Sequence, residues 1–351
     1  MANDLIPREI DLNSAGDDFW RRYHAFRRVR HDEVRPEDPF YPDDLERIRI
    51  LSDQKFEINH AFEVVHDDEM VSWFRSAGTK PGAPGYDTNR YFLWCTFSVL
   101  APYRRRGIGR SHVPVLLELM DRDGCHTLTM ESEEESGHAF LRWLGAEKKS
   151  EGAENRLHIP DVDWAMIRRW IDEGEKRSTE TKLEVYDDHI PDALLEEFAP
   201  QLSALLNTMP WDALDHGEIV TTPEVLRHDY ERMDLAGLKH HTVLTREPDG
   251  VISGMTDITW APHRPTILEQ MFTGVRPDAR GRGIGKWIKA YMLDYMHRLY
   301  PDAEWISTGN ADSNGPMLAI NKRMGFKRHR WGAEYQISRD QLAARIEALK
   351  V

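Results

Sequence analysis

Cysteine is scarce in this chain, which has only Cys95 and Cys125 among its 351 residues. Two isolated cysteines without a C-x-x-C pair provide no disulfide framework, so a reducing compartment is favoured. Positive charge is also in deficit, because 46 Lys and Arg residues stand against 60 Asp and Glu residues, for a net charge of −14. General nucleic-acid binding needs clustered positive charge and is therefore disfavoured. The acidity mildly favours cationic partners such as amines, although solubility alone would also account for it.

Long hydrophobic runs are absent as well. No segment approaches the ~18 consecutive apolar residues that a membrane-spanning helix needs. Residues 1–11 carry charges at Asp4, Arg8, Glu9 and Asp11 and have no apolar stretch, so we expect no signal peptide. These features predict a cytoplasmic protein that binds neither membrane nor nucleic acid. His112, His240 and His241 lack cysteine or carboxylate companions at metal-ligand spacing, so ordinary histidines are favoured and we expect no metal site.

A glycine-rich loop occurs twice in the sequence. Residues 104–110 (Arg-Arg-Arg-Gly-Ile-Gly-Arg) recur as residues 280–286 (Arg-Gly-Arg-Gly-Ile-Gly-Lys), 176 positions later. Each copy follows an apolar, strand-like run and opens an amphipathic helix. Glycines let a ligand approach the backbone closely, and a helix N-terminus offers free N–H groups and a positive dipole, so a phosphorylated ligand suits the loop. The duplication predicts two copies of one fold.

The same order of elements is predicted in both halves: two helices, a hairpin, a strand, the glycine loop with its helix, a strand and a short helix. In the first half these cover 17–30, 42–51, 57–65 with 70–76, 91–101, 108–122, 126–130 and 135–144. In the second half they cover 192–207, 222–233, 241–246 with 251–259, 266–275, 284–299, 303–308 and 317–324. A strand and a helix close each half, at 157–159 with 162–171 and at 335–337 with 341–349. The predicted domains are 1–160 and 183–351, joined by a helical linker at 161–182.

Arg-x-x-Gly-x-Gly after an apolar strand resembles the acyl-CoA signature of the GNAT superfamily of N-acyltransferases. Asn314, followed by a helix that closes on Gly325 and Phe326, resembles the second motif of that family. The resemblance covers nearly the whole chain as two tandem domains and is similar to actinobacterial tandem acetyltransferases, the group that includes mycothiol synthase. It implies an α/β fold in which each domain has a mixed, mostly antiparallel central sheet flanked by helices.

The resemblance also implies acetyl-CoA as co-substrate and direct acetyl transfer to a primary amine of a small metabolite. Its motifs map the expected acetyl-CoA contacts of the second domain onto Thr273, Val275, Arg280, Arg282, Gly283, Ile284, Gly285, Lys286, Asn310 and Asn314. The corresponding contacts of the first domain are Val99, Arg104, Gly107 and Gly109.

Only the second half has a candidate general base. The spacing found in some family members leads back from Gly283 to Glu269, whereas the same count from Gly107 leads to Leu93, which cannot accept a proton. The two-residue period of a strand predicts that Glu269, Met271, Thr273 and Val275 share one face, with Gln270 on the other. A cross-strand charge is the alternative interpretation of Glu269.

The proton donor to the departing thiolate is missing from its usual place. The family's tyrosine corresponds to Asn321 in the second half and to Leu141 in the first. Asn321 cannot supply a proton, but it can donate a hydrogen bond to the CoA sulfur or pantetheine. Water or another tyrosine, such as Tyr335, is an alternative donor. Because Glu134 takes the place of Asn314 in the first half, we expect the first domain to be catalytically silent.

The loop between the first two helices of the second half is where this family places its acceptor. It contains Trp211, Asp212, Asp215, His216 and Glu218, which suggest either an acidic mouth for an amine or a solvated loop. A CoA-binding regulatory or scaffold protein without turnover is the alternative function. A protein N-acetyltransferase is disfavoured because a tandem partner would close the cleft. We expect a monomer or a homodimer.

Overall fold

The computed structural model describes residues 5–52 and 55–349, so part of the segment 1–11 lies outside it. The chain forms two compact units, and neither is one continuous stretch of sequence. The first unit consists of the described residues of Met1–Ser150, Ala213–Glu218 and Ala333–Val351. The second unit consists of Glu151–Asp212 and Ile219–Gly332.

Helices and strands follow the repeated order that the sequence predicts, and elements at Arg8–Glu9, Tyr86–Asn89 and Lys182–Asp187 are present in addition. Those of the first half are β1 (Arg8–Glu9), α1 (Asp17–Val34), α2 (Asp43–Ser52), β2 (Glu57–His66), β3 (Glu69–Thr79), α3 (Tyr86–Asn89), β4 (Phe92–Val99), α4 (Ile108–Asp123), β5 (Thr127–Ser132), α5 (Glu135–Leu144), β6 (Glu147–His158) and α6 (Trp164–Arg177). Those of the second half are β7 (Lys182–Asp187), α7 (Leu195–Leu206), α8 (Pro223–Leu235), β8 (Lys239–Arg246), β9 (Ile252–Trp260), β10 (Ile267–Val275), α9 (Ile284–Leu299), β11 (Trp305–Ala311), α10 (Gly315–Met324), β12 (Lys327–Ser338) and α11 (Arg339–Leu349).

Each unit is built on a mixed, mostly antiparallel sheet. The strand order is β1-β2-β3-β4-β5-β12 in the first unit and β6-β11-β10-β9-β8-β7 in the second. One pair in each sheet is parallel, β4 with β5 and β10 with β11. Helices flank the sheets, which confirms the predicted fold class.

Part of the last strand of each sequence half lies in the unit formed mainly by the other half, namely residues 151–158 of β6 and 333–338 of β12. Strand β6 pairs with β11 from Gly152↔Ala311 to His158↔Trp305. Strand β12 pairs with β5 from Ala333↔Ser132 to Ser338↔Thr127. The predicted boundaries 1–160, 161–182 and 183–351 assume consecutive domains and must be corrected, because long-range strand pairing has no local sequence signal.

Helix α6, predicted as a linker, belongs to the core of the second unit. Its Ile167 and Trp170 are buried in the same apolar cluster as residues of α9 and of the sheet. Gly174 allows this helix to approach closely, because a Cβ there would lie 2.2 Å from Cγ of Trp287. Strand β7 follows α6 and was not predicted from the sequence.

None of the helices in the described part of the chain is long and apolar enough to cross a membrane. Cys95 and Cys125 are buried free thiols. Burial raises the pKa of Cys125 to about 11, so this thiol is protonated and unreactive at neutral pH.

Replacing Gly174 tests the packing of α6 against α9. We expect Gly174→Val to lower the free energy of unfolding by about 1–3 kcal/mol, because the new side chain would overlap Trp287. Urea unfolding measures the effect, and Lys176→Ala on the exposed side of the same helix is the matched control. An unchanged unfolding midpoint for Gly174→Val would show that α6 does not pack on α9.

Candidate functional site

The second unit has a wedge-shaped opening where two parallel strands part. Strands β10 and β11 pair from Ile267↔Trp305 to Gln270↔Thr308. Beyond these residues β10 stays paired with β9 and β11 with β6, so the facing edges of β10 and β11 no longer bond to each other. The first unit has the same opening, since the pairing of β4 with β5 ends at Cys95↔Met130.

A β-bulge marks the point where β10 leaves β11. The pairing of β10 with β9 shifts register between Gln270 and Phe272, which leaves Met271 as the extra residue, with 59% of its surface exposed. The amide of Phe272 donates to Oδ1 of Asp257 on β9, at 2.8 Å. In the first unit β4 pairs with β3 in continuous register, so the bulge distinguishes the two units.

The bulge reverses the predicted faces of β10. Gln270 bonds to the side chain of Thr273, with Nε2 2.9 Å from Oγ1, so these two residues share a face. Glu269 points to the opposite face. The prediction that Glu269, Met271, Thr273 and Val275 share one face is therefore wrong, because an inserted residue breaks the two-residue period.

The bulge also corrects the predicted counterpart of Glu269 in the first unit. Glu269 lies opposite Thr259 and is followed by the last residue of β10 that pairs with β11. The residue at that place in β4 is Trp94, which is 41% exposed, and not Leu93. Neither side chain can accept a proton, so the absence of a base in the first unit is unaffected.

Both glycine loops lead into a helix in the predicted way. Gly283 precedes α9 with φ +84°, and Gly107 precedes α4 with φ +90°, a backbone conformation that glycine adopts without steric cost. The first N–H groups of each helix have no partner within the helix and carry the positive end of its dipole. This geometry suits an anion.

Cationic side chains surround the loop of the second unit. A Cβ on Gly283 would lie 2.8 Å from Nη1 of Arg177, which therefore sits directly over this glycine. Arg280 donates from Nε to the carbonyl of Val275, at 3.1 Å. The guanidinium of Arg323 lies 4.6 Å from the ring of Trp170. Within residues 5–52 and 55–349, these three arginines have no carboxylate partner.

The other two cations of this loop are paired to different degrees. Lys286 lies 5.4 Å from the ring of Trp170, and its Nζ is 3.9 Å from the nearest carboxylate oxygen of Glu173. Arg282 is more firmly held, because its Nη1 donates to Oε1 of Glu247 at 2.9 Å. Lys286 is therefore freer than Arg282 to meet an anion.

Carboxylates pair with Arg104, the first arginine of the loop of the first unit. Nη2 of Arg104 lies 2.9 Å from Glu134 and 3.4 Å from Glu33. Glu134 is also 2.5 Å from Arg30. Burial opposes ionisation of Glu134, but its contacts with Arg30 and Arg104 hold its pKa below the usual value. An incoming phosphate would have to compete with a resident carboxylate.

Aromatic rings further narrow this part of the first unit. Phe97 and Phe140 contact each other edge to face with centroids 5.1 Å apart. The ring of Phe140 would lie 3.2 Å from a Cβ on Gly109. The corresponding glycine of the second unit, Gly285, has the smaller Ile320 and Val275 at 3.5 Å.

Three asparagines meet beside the opening of the second unit. Asn321 is buried and donates from Nδ2 to Oδ1 of Asn310 at 2.8 Å, and Asn155 of β6 approaches the same oxygen at 3.4 Å. Oδ1 of Asn321 is buried without a hydrogen-bond partner in the described part of the chain. Asn314 caps α10 by accepting from the amide of Met317 at 3.4 Å.

The candidate base Glu269 forms an ion pair with Arg264 and is partly exposed. Two neighbours of Glu269, His240 and Asp257, were not predicted as site residues from the sequence. Nε2 of His240 lies 2.9 Å from Oδ2 of Asp257, the residue that holds the bulge. His240 and Glu269 are both paired with Thr259, so their side chains lie on the same face. Sequence offered no signal for this arrangement, because it depends on strand register.

A buried lysine was also not predicted as a site residue from the sequence. Lys289 of α9 is 2% exposed and donates from Nζ to Oε1 of Gln270 at 2.5 Å. Nε2 of Gln270 in turn donates to Thr256 at 2.7 Å and to Thr273 at 2.9 Å. The local signal is a lysine on the apolar side of α9, between the buried residues Ile288 and Ala290.

Some predicted site residues lie in the other unit. Tyr335 belongs to the first unit, where it is buried with its hydroxyl 3.2 Å from Nδ1 of His138. Asp215, His216 and Glu218 also belong to the first unit. Trp211 and Asp212 remain in the second unit, so the predicted acidic mouth is divided.

The comparisons with known proteins agree with this geometry. Residues 205–326 match the model of the acetyltransferase (GNAT) family. No curated protein matches the sequence. Among solved structures, the chain is similar to a tandem GNAT protein from the clavulanic acid biosynthesis pathway, with a TM-score of 0.72 and 19% identity over 95% of this chain and 98% of that one.

Two further structures extend the similarity. A GCN5-related N-acetyltransferase from Sphaerobacter thermophilus has a TM-score of 0.59 and 15% identity, with 95% of both chains covered. A glucosamine N-acetyltransferase region of a fungal multi-domain GH3 beta-N-acetylglucosaminidase has a TM-score of 0.66 and 14% identity, over 95% of this chain and 38% of that one. At these identities the similarity establishes the fold. The chain has the tandem GNAT fold, and the prediction of this architecture is confirmed.

The buried amine of Lys289 predicts a pH-dependent stability. Burial lowers the pKa of Lys289 to about 7, whereas the lysine is protonated up to about pH 10 in the unfolded chain. Between pH 7 and pH 10 the unfolded state therefore binds more protons than the folded state. The free energy of unfolding should accordingly increase as the pH is raised from 7 to 10 and decrease as it is lowered from 10 to 7. Urea unfolding at pH 7, 8 and 9 should show a shallower rise for Lys289→Met than for the wild type. Equal slopes would contradict the neutral state of this lysine.

Proposed function

We propose that the chain is an acetyl-CoA-dependent N-acetyltransferase that acts on a primary amine of a small metabolite, with catalysis in the second unit. The observation that carries this proposal is the contrast between the two glycine loops. Arg280 of the second unit has no carboxylate partner within the described chain, whereas Arg104, which holds the same place in the first loop, is paired with Glu134 and Glu33. A pyrophosphate is attracted to unpaired cations and repelled by carboxylates.

The chemistry requires that the thioester of acetyl-CoA reach the opening between β10 and β11. A neutral amine nitrogen then bonds to the thioester carbonyl carbon, the carbon–sulfur bond breaks, and CoA leaves as thiolate. Glu269 accepts the proton released by the amine, directly or through water. The side-chain amide of Asn321 can donate a hydrogen bond but cannot supply a proton, so we assign the sulfur proton to water.

The acceptor is assigned from the charge of the molecule and the family chemistry. The net charge of −14 favours a cationic amine over an anionic acceptor. Glu269 and Asp257 contribute carboxylates on the sheet face that also carries His240. This face is where we place the amine.

A CoA-binding protein without turnover is the second candidate. The observation that favours it is Asn321, which stands where the family has its proton-donating tyrosine. The two functions differ in one measurement, since a regulatory protein would bind acetyl-CoA but release no CoA with any amine.

Calorimetric titration of acetyl-CoA tests the choice of unit. We expect Gly283→Glu to weaken binding about tenfold or more, because it places a carboxylate at the helix N-terminus that meets the pyrophosphate. Gly107→Glu is the matched control, since it has the same positive φ and the same position before a helix, and it should bind as the wild type does. Binding lost in Gly107→Glu alone would place the site in the first unit, and no binding by the wild type would refute the proposal.

Glu269→Gln tests the base. We expect this variant to lower the turnover rate by about 10²–10⁴-fold with little change in acetyl-CoA affinity, because the amide cannot accept the amine proton. CoA release with a panel of primary amines gives the rate, and Glu184→Gln, on β7 of the same unit, controls for the loss of one ion-paired carboxylate. If Glu269→Gln turned over at the wild-type rate from pH 6 to pH 9, Glu269 could not be the base.

A further inference from the structure

Lys289 occupies an unusual place for a lysine, because it lies in the interior beneath the bulge of β10. The side chain is 2% exposed, and its Nζ lies 5.4 Å from the ring of Phe326. Its hydrogen-bond partner is Oε1 of Gln270, at 2.5 Å. No carboxylate in the described part of the chain pairs with it. Burying an amine away from water costs free energy, and its hydrogen bonds must offset that cost.

The amine is the end of a hydrogen-bond chain that runs through the bulge. Gln270, the last residue of β10 that pairs with β11, receives the bond from Lys289 and passes two on, to Thr256 and to Thr273. Thr256 and Thr273 lie opposite each other on β9 and β10 and share a bond of 2.7 Å. The chain therefore joins residues on either side of the inserted Met271.

The first unit provides an internal comparison. Val113 holds the place of Lys289 in α4, since each is five residues beyond the first residue of its helix. Cys95 holds the place of Gln270, as the last residue of β4 that pairs with β5. Both are buried, and β4 has no register shift. The lysine and the bulge thus occur together in one unit and are absent together from the described part of the other.

We propose that Lys289 is a positioning residue for the acyl-CoA site of the second unit, acting through Gln270 to hold the strand conformation that opens β10 away from β11. This inference rests on the proposed function. Uncharged Lys289 can donate to Gln270 without bringing a charge into the core. Protonation would place a full charge beneath the bulge with Gln270, Thr256, Thr273 and the ring of Phe326 around it. The elements packed on α9 are α6, β8, β9 and β10, and none of them supplies a carboxylate partner to this amine in the described part of the chain, so acidification should disturb the site.

Calorimetric titration of acetyl-CoA at pH 6, 7 and 8 tests the proposal on the full chain. We expect Lys289→Met to bind acetyl-CoA about three- to tenfold more weakly than the wild type at pH 8, the effect of losing one hydrogen bond. Between pH 8 and pH 6 the wild type should lose more affinity than Lys289→Met, and titration of the acetyl-CoA phosphates cancels in this comparison. Gln270→Leu should weaken binding similarly, and the double variant should be no weaker than either single one.

Structural damage is separated from positioning by two controls. Urea unfolding of each variant reports whether it is folded, and Val113→Ala, which removes a buried side chain at the matching place of the first unit, should lower stability without changing acetyl-CoA affinity. Wild-type affinity and pH dependence in folded Lys289→Met would overturn the positioning role and leave the proposed function intact. A wild type that binds no acetyl-CoA would refute the proposed function, and the positioning role with it.

Discussion

The parting of β10 from β11 is the constraint on which the second unit depends. Two paired strands can separate only if the backbone groups released at the junction find other partners. The carbonyl of Gln270 accepts from the hydroxyl of Thr308 on β11 at 3.2 Å, and beside the junction the amide of Phe272 donates to Asp257 of β9. The inserted Met271 absorbs the change of direction. The glycine loop and the N-terminus of α9 then lie at the end of a strand that is already free on one edge.

The two units share a backbone architecture but differ in the charges around their glycine loops. Both have the parting strands, the left-handed glycine and the helix that follows it, so the geometry for an anion is present twice. Electrostatics differ, because Glu134 is held against Arg104 in the first unit whereas Arg280 of the second meets only a carbonyl. The carboxylate of Glu134 occupies the place beside Arg104 that a phosphate would take. This arginine of the first unit therefore already has an anionic partner from the protein itself.

The exchange of the last strands makes the folding of each sequence half depend on the other. Neither half contains all the strands of its sheet, because β6 completes the second unit and β12 completes the first. Asn155 illustrates the consequence for the site, since it comes from β6 and reaches the side chain of Asn310 on β11. The pairing of segments so distant in sequence favours slow, cooperative formation of each sheet.

The sequence by itself determined the features that arise within a few residues. Glycines with positive φ before a helix, the threonine and asparagine caps of α8 and α10, and the alternating or helical spacing of apolar residues all reflect local sterics and hydrogen bonding. They were sufficient to predict two copies of one fold and the glycine loops as candidate site, whereas the mixed sheet flanked by helices was implied by the family resemblance. Tertiary structure alone decided the bulge at Met271, the true counterpart of Glu269, the pairing of Lys289 with Gln270 and the exchange of β6 and β12. Those features depend on which residue lies opposite which across a sheet, and register is set by burial and pairing over the whole unit rather than by neighbours in the chain.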